Sequence, residues 1–142
     1  MKYIQINSEN DKDIPYLVSI HKLPEISRYV RINEENYFSY VTAAENVYYF
    51  KAYEDGQLAA VLHCELFDET LHMSIIVLPD YQKQGIGTAI LYDIQNMALP
   101  LTYSHIRVSI EKSNAASLRL FYKINFVKIS EDGDLIDFIY SI

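Results

Sequence analysis

The sequence predicts a single α/β domain over residues 1–142, with a mixed, mostly antiparallel central sheet of about seven strands flanked by about four helices. The length of 142 residues suits one domain. Hydrophobic residues make up 50% of the chain and charged residues 22%, which is typical of a globular protein. Seven short runs with strand chemistry are interleaved with amphipathic runs at helical spacing.

The first half of the chain predicts one strand, two helices and three antiparallel strands. Residues 2–6 alternate polar and apolar side chains, and residues 14–21 then carry apolar side chains at helical spacing until Pro24 breaks the helix. A second helix begins near Asn33. Asp55-Gly56 is typical of a tight hairpin turn. The three strands cover residues 47–53, 57–67 and 71–77.

The second half predicts a helix, a parallel strand, a second helix and a hairpin. The first helix runs to about Leu99, where Pro100 ends it. Residues 106–110 must return parallel to the preceding strand, because a helix lies between the two. Asn114 caps a helix over residues 115–124, and Asn125 follows it in the left-handed conformation. The hairpin strands cover residues 126–129 and 135–140.

Composition narrows the class of protein. The formal net charge of -7 argues against nucleic-acid binding. Cys64 is the one cysteine, which excludes an internal disulfide, favours a reducing compartment and suits a buried, inert thiol. No apolar stretch approaches membrane-spanning length, and the N-terminus lacks a signal-peptide pattern. We expect a cytoplasmic protein without a membrane partner; a homodimer remains open.

The stretch from Met73 to Leu91 is the most informative part of the chain. A strand ends before Pro79, and a loop with the spacing Gln82-x-x-Gly85-x-Gly87 leads into an amphipathic helix. A helix start offers N–H groups and a partial positive charge to an anion, and glycine allows close approach. The first turn has no acid, and Lys83 adds positive charge. The loop therefore predicts a phosphate site.

Two better-known glycine loops do not fit. A P-loop requires a Lys directly after its last glycine, and no Lys follows Gly87. The dinucleotide-binding fingerprint requires three glycines, and only two are present. The motif instead resembles the acetyl-CoA loop of the GNAT superfamily of N-acetyltransferases, Arg/Gln-x-x-Gly-x-Gly/Ala, whose backbone N–H groups hold the pyrophosphate. The resemblance implies acetyl-CoA as co-substrate and no metal. The implied acetyl-CoA-binding residues are Ile75, Ile76, Val77, Gln82, Lys83, Gln84, Gly85, Ile86, Gly87, Thr88, Asn114, Ser117, Tyr122 and Lys123.

A second motif strengthens the resemblance, which covers nearly the whole chain. Residues 114–126 are similar to the family pattern Asn-x-x-Ala/Ser-x-x-x-Tyr-x-Lys-x-Gly-Phe, with Asn125 in place of Gly. The order of strands and helices is also the family order. The replacement of Gly by Asn125 is a mild departure from the pattern, because Asn tolerates the left-handed conformation.

The resemblance implies roles for a few residues. The sheet should splay between the strands ending at Val77 and Ile110, leaving room for the pantetheine arm. The main-chain N–H of Ile75 would then polarise the thioester carbonyl, and Tyr122 would act as general acid. Lys123 or Arg119 could meet the 3'-phosphate. Tyr122 could equally be a core aromatic, Asn114 only a helix cap, and Lys123 a solvated charge.

The general base and the acceptor stay open. Many family members carry Glu on this strand at the position of Leu71. Glu65, Glu69, His72 or a water chain could substitute. The four histidines show no metal-ligand spacing. The acceptor pocket should involve residues 22–45 and the Asp68 turn. The polar residues there that could line it are Tyr29, Tyr37, Tyr40, Glu34 and Glu35.

The sequence thus predicts an N-acetyltransferase that passes an acetyl group directly from acetyl-CoA to a primary amine of a small molecule or a protein. One alternative is a non-catalytic acyl-CoA-binding sensor or interaction module on the same fold, which the apolar Leu71 favours. Another is a purely structural dimerising domain that uses its tyrosine-rich face or the edge of the C-terminal hairpin.

Overall fold

The computed structural model describes residues 1–27 and 36–142 of the chain. Those residues form seven strands, five α-helices and one short 3-10 helix. The strands are β1 Lys2–Gln5, β2 Val47–Glu54, β3 Gln57–Phe67, β4 Thr70–Val77, β5 His105–Glu111, β6 Val127–Asp132 and β7 Leu135–Ser141. The helices are α1 Ile14–His21, α2 Pro24–Ser27, α3 Tyr37–Ala43, α4 Ile86–Gln95 and α5 Ala115–Lys123, and the 3-10 helix covers Pro79–Tyr81.

All strands belong to one sheet in the order β1-β2-β3-β4-β5-β7-β6. Every pair is antiparallel except β4 with β5, which confirms the predicted mixed sheet. The parallel ladder between β4 and β5 is short: Thr70–His72 lie opposite His105–Arg107. Because both strands continue beyond this ladder, they diverge, and the predicted splay is present.

Apolar side chains alternate between the two faces of the sheet and build a core on each. On one face, Leu62, Ile106 and Phe138 pack with residues of α4 and α5. On the other, Tyr49 and Ile76 pack with residues of α1, α2 and α3. Strands β2, β3 and β4 therefore contribute residues to the cores on both faces, whereas β6 is exposed along its length.

A buried ion-pair cluster fixes the start of α1 to the sheet. The Lys51 side chain, on β2, is 6% exposed and its Nζ lies 3.0 Å from Asp11 Oδ2 and 2.8 Å from Asp13 Oδ2. Burial acts to raise the pKa of the Asp11 carboxyl, but hydrogen bonds from the Asp13 backbone N–H and from Lys51 lower it by more, so that the net shift is downward. A buried charge of this kind is tolerated because it is paired.

Two helix boundaries differ from the predictions. The break predicted at Pro24 is followed at once by a helix that was not predicted: α1 ends at His21, and Pro24 begins α2, at a position where its missing N–H costs nothing. Helix α4 ends at Gln95 rather than near Leu99, because Met97 adopts the left-handed conformation (φ 62°) and the Ala98 N–H returns to the Asp93 carbonyl. The predicted helix start near Asn33 lies outside the described residues.

Two predicted caps are confirmed. The Asn114 side chain accepts a hydrogen bond of 3.3 Å from the Ser117 N–H at the start of α5. Asn125, after α5, has a φ of 72°. Asn125 therefore adopts the left-handed conformation at the position where the pattern that it resembles carries glycine.

Candidate active site

A cavity of about 180 Å³ lies where β4 and β5 diverge. We call it the slot. Helices α4 and α5 close it from one side of the sheet, and its walls come from both strands. Its lining residues are Met73, Ser74, Ile75, Val77, Gly87, Leu91, Val108, Ser109, Ile110, Glu111, Asn114, Ser117, Leu120 and Phe121.

The main chain of β4 faces the slot at Ile75 and Val77. The Leu78 N–H donates to the Ala59 carbonyl at 2.9 Å, so the main-chain groups of Leu78 point toward β3. Because these groups alternate in direction along a strand, those of Ile75 and Val77 point away from β3 and toward β5. The Gln82 side-chain N–H donates to the Val77 carbonyl at 3.1 Å, in agreement with this direction. The Ile75 N–H is therefore directed into the slot.

A second cavity adjoins the slot at the glycine loop, and we call it the entrance. Gly85 precedes α4 in the left-handed conformation (φ 80°), and the first turn of α4 holds no acidic residue. Lys83 lines the entrance, while Gly87, Asn114 and Ser117 line both cavities. The free N–H groups at the start of α4 therefore open onto the same space as the slot.

The packing around Gly87 leaves room for a side chain at this position. A Cβ built on it would make ordinary contacts at 3.7 Å with Leu120 Cδ2 and Val77 Cγ2. It is also in helical conformation, where glycine is less stable than alanine. What glycine supplies at this position is therefore space for something that enters between α4 and α5.

A polar depression on the other face of the sheet adjoins the slot, and we call it the trough. Ser74 and Ser109 line both the slot and the trough. The trough crosses β3, β4, β5 and β7, and its lining residues are His63, Glu65, His72, Met73, Ser74, Arg107, Val108, Ser109 and Asp137. Entrance, slot and trough are thus three neighbouring cavities, and the slot shares lining residues with each of the other two.

A hydrogen-bonded chain surrounds Glu65 at one side of the trough. The Tyr40 hydroxyl donates to Glu65 Oε1, and His63 Nε2 lies 3.5 Å from Glu65 Oε2. The other imidazole nitrogen, His63 Nδ1, is 2.6 Å from the Tyr37 hydroxyl. Burial raises the pKa of Tyr37, so its hydroxyl keeps its proton. Because the Glu65 carboxylate can only accept, the fitting arrangement has the His63 proton on Nε2, directed at Glu65, and His63 Nδ1 accepting from the Tyr37 hydroxyl.

The charges in this chain follow from its contacts. The hydrogen bond from Tyr40 lowers the pKa of Glu65, so this carboxyl is ionised at neutral pH. Burial lowers the pKa of His63, against the opposing effect of Glu65, so its imidazole is neutral there. Glu65 therefore offers a negative charge to the trough, held in place by two neutral neighbours.

Eleven of the fourteen predicted acetyl-CoA-binding residues line the slot or the entrance. They are Ile75, Ile76, Val77, Gln82, Lys83, Gly85, Ile86, Gly87, Thr88, Asn114 and Ser117. The other three, Gln84, Tyr122 and Lys123, line neither cavity. Gln84 instead donates from its side chain to the Asp80 carbonyl at 2.9 Å, which braces the loop.

Tyr122, predicted as the general acid, does not line the slot. The residue is 55% exposed and its ring packs edge-on against Phe138 of β7. Phe121 is the aromatic residue of α5 that lines the slot. Counted from Asn114, the tyrosine of the family pattern falls on Phe121, so careful spacing would have shown the difference.

The structure also separates the candidates for the general base. Glu65 and His72 lie opposite each other in the β3–β4 ladder and both line the trough. Glu69 is exposed on the turn before β4 and does not line the trough. Leu71 is fully buried in the core on the face of α4 and α5. Four further residues of the trough, His63, Arg107, Ser109 and Asp137, were not predicted from the sequence, because strand register alone brings them together.

The predicted acceptor residues divide in the same way. Tyr37 and Tyr40 reach the trough through His63 and Glu65. Tyr29, Glu34 and Glu35 lie outside the described residues. Within the parts of the chain that the structure describes, no cluster of His, Cys, Asp and Glu suits a metal ion, and no helix is long and apolar enough to cross a membrane.

Comparisons with known proteins agree with this geometry. The model of the Acetyltransferase (GNAT) family matches residues 14–126. Among curated proteins, the [ribosomal protein bS18]-alanine N-acetyltransferase of Escherichia coli K12 is 30% identical over 78 residues, which are 54% of this chain and 53% of that protein. The matched segment thus spans about half the length of the curated relatives.

Solved structures share the fold over nearly the whole chain. Campylobacter jejuni N-acetyltransferase PseH, in complex with acetyl coenzyme A, superposes with a TM-score of 0.78 at 17% identity, covering 99% of this chain and 97% of that one. Ribosomal-protein-alanine N-acetyltransferase from Brucella melitensis gives a TM-score of 0.72 at 16% identity, with all of both chains covered.

Proposed function

Because the chain belongs to the Acetyltransferase (GNAT) family, we propose that it transfers the acetyl group of acetyl-CoA directly to a primary amine. The observation that carries this proposal is the set of three adjoining cavities, the entrance, the slot and the trough, with the slot in the middle. Such an arrangement would give the long co-substrate and the amine separate routes to one reaction point. That point would lie between Ser74 and Ser109, which line both the slot and the trough.

Acetyl-CoA fits the residues present. Its pyrophosphate carries the negative charge that the start of α4, Lys83 and the missing Cβ of Gly87 would accept. Its pantetheine arm matches an elongated cavity with unpaired main-chain groups on one wall. PseH, which has the same fold, binds acetyl coenzyme A. On the β4 wall of the slot, the Val77 carbonyl already accepts a hydrogen bond from Gln82. The main-chain N–H groups of β4 remain there as donors for the pantetheine arm.

The Ile75 N–H would stabilise the reaction. Negative charge develops on the thioester carbonyl oxygen when an amine attacks, and a fixed main-chain donor stabilises that charge without reorganising. Since β4 is held by a full ladder with β3 on its other side, the donor cannot turn away from the slot.

Glu65 is our choice among the candidate bases. It is ionised, lines the trough on the β3 side and is oriented by Tyr40 and His63. His63 itself has both ring nitrogens engaged, which leaves it no lone pair for the amine. We therefore assign His63 and Tyr40 as positioning residues and Glu65 as the group that receives the proton of the attacking amine.

No general acid is needed for the leaving group. A thiol pKa of about 8.5 makes a thiolate an adequate leaving group near neutral pH. The exposed position of Tyr122 is compatible with such a mechanism, since no proton has to be delivered inside the slot.

The test has two parts. Acetyl-CoA should raise the melting temperature of the protein, with CoA raising it as well and ATP having little effect, because a ligand that binds the folded state stabilises it. Release of CoA is then measured across a panel of amines. Binding without CoA release from any amine would favour a non-catalytic acyl-CoA sensor, and no thermal shift would remove both interpretations.

A further inference from the structure

The trough is polarised, with a negative group at one side and a positive group at the other. Glu65 on β3 lies opposite His72 on β4, which lies opposite Arg107 on β5. These three residues form one row across the sheet and all line the trough. Two strand spacings separate Glu65 from Arg107, roughly 10 Å between main chains.

Arg107 is placed to receive an anion close to the reaction point. Its side chain is 39% exposed, and its nearest acidic partner among the described residues is Asp137, at 3.7 Å from Nη2 to Oδ2. That distance is too long for a hydrogen bond. The Asp137 oxygens already accept hydrogen bonds from the hydroxyls of Ser109 and Ser130. The planar guanidinium therefore keeps free donors for a second carboxylate.

The guanidinium also lies next to the mouth of the slot. Asp137 is directly opposite Ser109 in the β5–β7 ladder, and Ser109 lines both slot and trough. Since the Arg107 side chain leans toward Asp137, its positive charge lies beside the point where an amine must attack. A lone ammonium group would be repelled there, whereas an amine with a carboxylate nearby would be held and oriented.

We infer that the acceptor is a small amino-carboxylate, such as a free α-amino acid, whose carboxylate binds Arg107 while its amine faces Glu65. This rests on the proposed acetyl transfer. The other titratable groups of the trough are His63, which faces Glu65, His72, which lies between the two ends, and Asp137, whose carboxylate lies 3.7 Å from Arg107 and offsets part of its positive charge.

The first experiment compares acids with their amides. CoA release is measured with glycine, alanine and glutamate, with glycinamide and alaninamide, and with the amidated dipeptide alanyl-glutamate. Chemistry alone favours the amides, because their amines are less basic and more often unprotonated at neutral pH. Preference for the free acids would thus come from binding. Preference for the amides or the dipeptide would overturn the inference.

The second experiment removes the guanidinium. Arg107→Gln should raise KM for a free amino acid by roughly ten- to hundredfold, the effect of losing hydrogen bonds to a charged group. KM for an amide should not rise, because the variant also loses the repulsion between Arg107 and an ammonium group. The thermal shift with acetyl-CoA should be kept, and Arg107→Lys should recover part of the loss. Lys2→Gln, which removes the same charge on the distant edge strand β1, is the matched control.

The outcomes separate this inference from the proposed function. Equal losses for acids and amides in Arg107→Gln would overturn the amino-carboxylate assignment and leave acetyl transfer intact. If no amine in any class releases CoA from the wild-type protein, both fail together. Because the acid and amide comparison uses the wild-type protein, it decides the question even where the Arg107 variants do not fold.

Discussion

Replacing Gly87 with aspartate should stabilise the free protein and abolish its response to acetyl-CoA. Gly87 is the second residue of α4, where a carboxylate interacts favourably with the helix dipole by about 0.3–1 kcal/mol. Its Cβ would meet neighbours at 3.7 Å, so the side chain fits. At about 4 °C per kcal/mol for a domain near this size, the melting temperature of the free variant should rise by about 1–4 °C.

The same substitution should remove the stabilisation of the protein by acetyl-CoA. Acetyl-CoA at a hundredfold excess over its Kd would stabilise the wild-type protein by about 2.7 kcal/mol. That corresponds to a rise in melting temperature of about 10 °C. An aspartate 4 Å from a phosphate would cost about 4 kcal/mol at an effective dielectric constant near 20. This repulsion exceeds the ligand's stabilisation, so the shift should disappear.

Differential scanning fluorimetry with and without acetyl-CoA measures both effects in one assay. Gly87→Asn is the matched control, because it has the same size without the charge and should keep part of the shift. Gly87→Ala shows whether bulk alone matters. An aspartate variant that still shifts by as much as the wild-type protein would refute the placement of the pyrophosphate at the start of α4.

Three further predictions concern other parts of the molecule. Glu65→Gln should lower kcat for alkylamines by about 10²- to 10⁴-fold. The kcat for hydroxylamine should be unchanged, because this nucleophile is largely unprotonated at neutral pH. Glu69→Gln is the control, and equal losses of kcat for both nucleophiles would exclude Glu65 as the base. Tyr122→Phe should leave CoA release within about twofold of wild type, because its hydroxyl lies outside the slot, and a large loss of kcat would restore it as the acid. Burial raises the pKa of Cys64 to about 12, so thiol reagents should modify the folded protein at pH 8 far more slowly than the urea-unfolded chain; comparable labelling rates would show that the thiol is accessible.

The elements that depend on local chemistry were predictable from the sequence. The caps at Asn114 and Asn125, the turn at Asp55-Gly56 and the glycine loop each follow from residues that are neighbours in the chain. The wall of the slot was predictable too, since Ile75 and Val77 precede the loop on the same strand. These features need no knowledge of distant contacts.

The trough was not predictable, because it depends on register across four strands. Glu65, His72 and Arg107 are dispersed in sequence, and a shift of one residue in any ladder would turn a side chain to the opposite face. The Tyr122 assignment is a different case, because the spacing from Asn114 already places Phe121, and not Tyr122, at the tyrosine of the family pattern.

The short parallel ladder between β4 and β5 has a mechanical consequence. Strands β1 to β4 and strands β5, β7 and β6 form two ribbons, each joined internally by long antiparallel ladders, and three residues on each side join the ribbons to one another. A molecule that fills the slot would bridge the two ribbons where the sheet itself does not. Occupancy of the slot should therefore slow amide hydrogen exchange in β5 and β7 as well as in β4. The co-substrate would then join the two ribbons where β4 and β5 do not pair.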